Sequence, residues 1–213
     1  MKINLTDATK FNCTSVYDYV KPLLAKPNLE ARPNAEGRSA VLNVAGNHYG
    51  LLGYISSLVD NQRIIEMGTR FGFSALAMSI NETNKVTSYD IVERGQSLIV
   101  KPNLHFRLLN LLEEENSHVI LESDILFVDI APHNGVDEKQ ITDYLIANNY
   151  KGITLWHDIH DGSRKQPPRT MWKWWIALDP SLNKFDLTTA QAGAEASPGV
   201  GLVDFSGTVE VTR

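Results

Sequence analysis

The spacing of apolar positions changes character along this chain, and the changes mark its elements. Between Tyr49 and Val59, Leu51, Leu52, Ile55 and Leu58 recur at helical spacing and predict a helix leading into a sheet. Arg63 to Met67 then reads as a short apolar strand, followed by a glycine-containing turn and an apolar helix over Ser74 to Ile80. Further strands are predicted over Lys85 to Tyr89, Leu104 to Leu109 and Ile125 to Ile130; the last is a continuous apolar run suited to burial on both faces. A helix over Asp137 to Asn148, a strand over Gly152 to Trp156 and a helix over Arg169 to Leu178 follow, and two strands near 185–191 and 200–205 close the pattern. Upstream, residues 14–25 read as a helix limited by Pro22, and residues 27–47, with Pro27, Pro33, Gly37 and Gly46, as a loop or lid. The chain therefore divides into an N-terminal helical or lid segment, 1–48, and a domain over 49–213. Strands alternating with helices predict an α/β, Rossmann-like, doubly wound sheet with helices on both faces. In such sheets the crossovers are right-handed and ligands bind at the carboxyl ends of the strands.

Composition narrows the class. At 213 residues, with 43% hydrophobic and 21% charged positions, the chain is long enough to bury a full core. A net charge of −5 disfavours nucleic acid as a partner, and the one short basic cluster, Arg164, Lys165 and Arg169, is small. The single cysteine, Cys13, excludes an intrachain disulfide and a multi-cysteine zinc site. With a polar start and no apolar run of membrane-spanning length, the expectation is a soluble, cytoplasmic protein with no membrane partner. A homo-oligomer is compatible with the pattern, but no apolar stripe specifies one.

Candidate chemistry begins at Ile64-Ile65-Glu66-Met67-Gly68-Thr69-Arg70-Phe71-Gly72-Phe73-Ser74. Gly68 permits a sharp strand-to-helix turn without a side chain to block a ligand, and Gly72 lets the next helix pack closely. Free N–H groups at a helix start favour a carboxylate, while Glu66 carries negative charge suited to an ammonium. Together they suit an amino acid bearing both charges. Asp90 ends the next strand roughly 20 residues after Gly68, where a carboxylate can accept bonds from ribose hydroxyls. The spacing is Gly-x-x-x-Gly with an acid two residues earlier, which differs from the Gly-x-Gly-x-x-Gly of nicotinamide sites.

EMGTRFGFSALAMS, VTSYDI, ILFVDI and ITLWHDI, in this order, resemble class I S-adenosylmethionine-dependent methyltransferases. More narrowly, they look like the small-molecule and sugar O-methyltransferases related to methyltransferase family 24. The resemblance spans roughly residues 50–205. It implies a seven-stranded, mostly parallel sheet whose last strand is antiparallel, and S-adenosylmethionine held by Glu66, Gly68, Thr69, Gly72, Ser74, Asp90 and Asp129. It also implies that the loop near Asn110 and Leu111 approaches adenine; by position alone, Asn47, His48 and Tyr49 are expected to fold over the cofactor from the N-terminal side.

Asp129 ends the fourth strand of this set and His157-Asp158 ends the fifth, with His133 in the loop between. Adjacent parallel strands would bring these groups to one rim. His133 is the candidate general base for removing a hydroxyl proton, with Asp129 and His157 completing the catalytic set. Asp129 and Asp158 are the candidate ligands for Mg or Mn, the imidazoles favouring the latter. Two features depart from magnesium-dependent relatives: His157 stands where an acid pair is usual, and the loop after Asp129 is one residue longer. Asp143 is read as a surface residue, and Trp172, Trp174 and Trp175 as core packing. The polar loop Asp161 to Pro168 is placed to cover a substrate.

The reading is thus an S-adenosylmethionine-dependent methyltransferase acting on a hydroxyl of a small-molecule acceptor, a sugar among the candidates, with or without a metal. A nicotinamide-dependent oxidoreductase is the rival enzyme, opposed by the glycine spacing and the lack of a Tyr-x-x-x-Lys pair. A non-catalytic cofactor-binding or scaffold domain is the third reading.

Overall fold

A computed structural model describes residues 1–13, 15, 19, 48–160, 170–190 and 199–213. The helix expected over 14–25, the lid over 27–47, the loop over 161–168, Asn47 and the small basic cluster lie outside the described residues, apart from Ser15 and Tyr19.

The described elements run β1 (Lys2–Asn4), α1 (Leu5–Lys10), α2 (His48–Ser57), β2 (Arg63–Met67), α3 (Phe73–Met78), β3 (Lys85–Asp90), β4 (Leu104–Leu108), β5 (Ile125–Val128), α4 (Val136–Ala147), β6 (Ile153–His157), α5 (Thr170–Ala177), β7 (Asn183–Asp186), β8 (Val200–Asp204) and β9 (Glu210–Thr212). Each element anticipated from the periodicity is present within a few residues among those described. The strand expected over 185–191 begins earlier, at Asn183, and gives way to a 3-10 turn at Thr188–Ala190. Asp186 sets that change: its carboxylate accepts the Thr188 backbone N–H at 2.9 Å and folds the chain back on itself.

Seven strands form one sheet in the order β4-β3-β2-β5-β6-β8-β7. β2, β3, β4, β5 and β6 pair in parallel, while β8 runs antiparallel to both β6 and β7. Alternation along the central strands sends side chains into two separate cores. Ile64, Ile125, Phe127 and Leu155 face one core with α1, α2 and α3; Ile65, Met67, Leu126, Val128 and Trp156 face the other with α4 and α5. β5 reads as an unbroken apolar run because both of its faces are covered. Trp174 and Trp175 are buried in the second core as expected, whereas Trp172 is exposed and stacks on His160 at 4.8 Å. Asp143 is exposed and pairs with Lys139.

Three described elements, β1, α1 and β9, have no counterpart in the reading of the sequence. The polar N-terminus forms β1, which pairs in parallel with β9 and so ties Lys2–Asn4 to Glu210–Thr212. The pattern was invisible because only Ile3 points inward on so short a strand.

The strand order places the site. From β2 the chain winds outward to β3 and β4, then returns to β5 on the other side of β2. The loops leaving β2 and β5 therefore diverge, and a crevice opens between them at the carboxyl edge.

Candidate active site

A cavity of about 580 Å³ occupies this crevice. Its walls come from four places: His48 and Tyr49 at the start of α2; Met67 to Phe71, Phe73 and Ser74 around the β2 loop; Tyr89 to Val92 and Leu109 to Leu112 beyond β3 and β4; and Asp129, His133, His157 and Asp158 beyond β5 and β6. Of the five described non-glycine residues with positive φ, three (Arg70, His133 and Asp158) line it. Backbone strain gathered at a cavity marks it as the constrained part of the fold.

The glycine loop is built as expected, but for another physical reason. A Cβ on Gly68 would lie 1.9 Å from the Asp129 carbonyl oxygen, so β2 and β5 can approach only if residue 68 is glycine. Gly72, with φ of 79°, would press a Cβ against Phe106 and Ile99. Both glycines serve close packing within the protein, as expected of Gly72, and Gly68 also lines the cavity.

Glu66 differs from its expected place. It is fully buried and absent from the cavity wall. Its two carboxylate oxygens accept bonds from the Ser74 and Ser88 hydroxyls, and Ser88 is in turn bonded to Thr69. Burial pushes the Glu66 carboxyl up to about 8, against the lowering effect of the two hydroxyls, with Asp129 and Asp90 adding to the rise. Glu66 thus locks β2, β3 and α3 together beneath the cavity, where a ligand ammonium would not meet it. Ser88 was missed in the sequence; it stands directly opposite Glu66 in the β2–β3 register, a relation visible only once the strands are aligned.

Asp90 lies on the wall. Its Oδ1 accepts the Ile91 and Val92 N–H groups at 2.7 and 3.0 Å, and its Oδ2 accepts the Arg70 N–H at 2.8 Å. An ionised carboxylate offers about four acceptor positions, so one remains on Oδ2 for a ligand hydroxyl. Asn110 and Leu111 also line the cavity, as do His48 and Tyr49 from the opposite side.

At the far end, two aspartates and two histidines alternate. His157 Nδ1 lies 3.0 Å from Asp129 Oδ1 and 3.1 Å from Asp158 Oδ1; His133 Nε2 lies 3.5 Å from Asp129 Oδ1 and 3.4 Å from Asp158 Oδ2. Burial alone would lower His157, but Asp129 and Asp158 outweigh it and raise it to about 9. Burial would raise Asp129; the His157 charge and hydrogen bond, with His48 and His133, hold it well below the usual carboxylate range. Burial and His157 push His48 down to about 3, so this ring, tilted against His157 with centroids 4.3 Å apart, is neutral. At neutral pH His157 is an imidazolium clamped between two carboxylates and is not a proton acceptor. His133 also borders the cavity, with its Nε2 at the longer distances of 3.5 and 3.4 Å from the same two carboxylates.

The donor set also passes a test for a divalent cation. Neighbouring ligand atoms around a cation with 2.1 Å bonds sit about 3.0 Å apart, close to the separations of this ring. His133, His157 and Asp158 bring ligand atoms within 4.8 Å of one another, and so do His48, Asp129 and His157. Each trio holds one of the two expected aspartates, joined through His157. Mixed imidazole and carboxylate donors suit manganese better than magnesium.

No protein-family model matches the chain, and no curated protein matches its sequence. Its fold, however, is found in solved methyltransferases. It is similar to the S-adenosylhomocysteine-bound methyltransferase PaMTH1 of Podospora anserina (13% identity, TM-score 0.52, covering 93% of this chain and 87% of that one). It is also similar to an O-methyltransferase from Bacillus cereus in complex with S-adenosylhomocysteine (15%, 0.52, 89% and 97%). A cyclopropane-fatty-acyl-phospholipid synthase-like protein from Lactobacillus casei shares it too (11%, 0.53, 89% and 99%). The chain therefore has the class I methyltransferase fold. The range of neighbours leaves the acceptor to be argued from the site itself.

Proposed function

We propose that this protein is an S-adenosylmethionine-dependent methyltransferase that modifies a hydroxyl group of a small molecule, with a sugar as one candidate acceptor. The observation that carries the reading is a single cavity joining the Gly68–Gly72 loop and Asp90 at one end to the His133, Asp129, His157 and Asp158 ring at the other. The S-adenosylhomocysteine bound by the two methyltransferases named above is the product of such a donor, and the same fold supports the assignment here.

In this reading Asp90 takes the ribose hydroxyls, the wall at Asn110 and Leu111 receives adenine, and the Gly68 to Ser74 loop bears the methionine arm beside Asp129. Methyl transfer is an in-line displacement: the acceptor oxygen bonds to the methyl carbon as the carbon–sulfur bond breaks, leaving a neutral thioether. The hydroxyl proton passes to His133. Asp129 and Asp158, held in place by the His157 imidazolium, orient that ring and stabilise its charge once protonated. If a divalent cation binds, Asp129 and Asp158 with the neighbouring imidazoles would hold it, and its charge would orient and acidify an acceptor oxygen.

Calorimetric titration of S-adenosylhomocysteine tests the cofactor claim. Saturable binding is expected, weakened about 100-fold or more in Asp90→Ala, since a charged carboxylate in a ligand site contributes about 1.5–3 kcal/mol and its loss also frees the Arg70 loop. No binding to the unaltered protein would sink the reading. A separate manganese titration of chelator-treated protein, repeated on Asp129→Ala, tests the cation claim.

A further inference from the structure

We propose that Arg70, at the crown of the Gly68–Gly72 loop, is the receptor for the carboxylate of the cofactor's amino-acid arm; this rests on the cofactor reading above. Arg70 lines the cavity and sits in the left-handed region at φ of 48°, where an arginine has no local reason to be. Its backbone N–H is pinned by Asp90 Oδ2 at 2.8 Å, which fixes the backbone of the loop at this residue. The guanidinium stands 5.5 Å from the centre of the Phe71 ring, another cavity residue. No carboxylate among the described residues forms an ion pair with it.

Several groups that otherwise suggest themselves for an amino-acid ligand are committed elsewhere. Glu66 is sealed by two hydroxyls, the Ser74 hydroxyl is one of them, and the Gly72 N–H donates to the Thr69 carbonyl at 2.7 Å. What remains is a cation at this end of the cavity and, toward the other, Asp129, whose backbone abuts Gly68. That pairing matches a zwitterion, with the carboxylate to the guanidinium and the ammonium to the aspartate. The other cavity arginine, Arg94, follows Asp90 and Val92 on the β3 side, at the ribose end. A guanidinium is the side chain best shaped to grip a carboxylate in two-point fashion.

The test compares S-adenosylhomocysteine with its decarboxylated analogue, which keeps the amine and thioether and lacks only the carboxylate. Both are titrated calorimetrically into the full chain, unaltered and as Arg70→Gln, Arg70→Lys and Arg94→Gln. The unaltered protein is expected to prefer S-adenosylhomocysteine by about 10- to 100-fold. Arg70→Gln should bind the two ligands equally, Arg70→Lys should keep part of the preference, and Arg94→Gln should keep all of it. Binding of the decarboxylated analogue by Arg70→Gln at near-normal affinity would show that the variant is folded. A preference that survives Arg70→Gln, or one missing from the unaltered protein, overturns this assignment while leaving the cofactor reading intact. Failure of the unaltered protein to bind either ligand overturns both.

Discussion

Glu66 shows what a single residue can do when its charge is buried. Its carboxyl is pushed up to about 8 in the folded protein, whereas in the unfolded chain it titrates near the usual glutamate value of about 4.3. The folded state therefore holds the proton more tightly. Its stabilising effect is present below the unfolded value and is lost as pH rises toward about 8. Glu66→Gln, which keeps the shape and stays uncharged, should gain stability relative to the unaltered protein as pH rises from about 5 to about 8. Urea midpoints across that range check this; a constant difference would contradict it. The acid at position 66 was legible in the sequence as part of a motif. Its role was not, because only the strand register sets Ser88 opposite it and only α3 brings Ser74 over it.

At the scale of elements, the loops between strands carry the tightest constraints. Gly68→Ala would force a Cβ to within 1.9 Å of the Asp129 backbone oxygen at a positive φ, so it should cost about 3–5 kcal/mol. Gly72→Ala meets only the end of the Phe106 ring and an Ile99 methyl, which can shift, and should cost about 1–2 kcal/mol. Chemical unfolding of the two variants would show whether the order holds. The turn after β8 depends on Asp204 in a comparable way. Its Oδ1 accepts bonds from the Ser206 and Gly207 N–H groups and the Ser206 hydroxyl, while its Oδ2 accepts the Val209 N–H at 2.8 Å. Burial works to raise this carboxyl, but those bonds outweigh it and hold it below the usual range. Asp204→Ala should destabilise by about 2–4 kcal/mol near neutral pH. That difference should shrink as pH falls from the unfolded carboxylate value of about 4 through the lower folded one, and acid titrations of both proteins by circular dichroism would reveal it.

At the scale of the whole molecule, β1 and β9 tie the beginning of the chain to its end, and burial rather than charge holds the tie. Ile3 is completely buried, so Ile3→Ala should lower stability by about 2–4 kcal/mol. The Lys2–Glu210 ion pair spans 3.1 Å, but its side chains are 82% and 64% exposed. Lys2→Ala should therefore cost below about 1 kcal/mol, and thermal melts of the two variants would separate these contributions. No helix among the described residues is long and apolar enough to cross a membrane, consistent with two cores built on a central sheet. By itself the sequence determined the alternation of strands and helices, the unbroken apolar run of β5, and the loops that would carry chemistry. Those are local signals: period, glycine placement, and an acid or histidine just past a strand end. Only the tertiary structure decided which of the named groups face the cavity. It set Glu66 beneath the floor and Arg70 on the wall, clamped His157 between Asp129 and Asp158, and left His133 at the cavity edge. Those outcomes depend on register, burial and distances between residues far apart in the chain, and no window of neighbouring positions contains them.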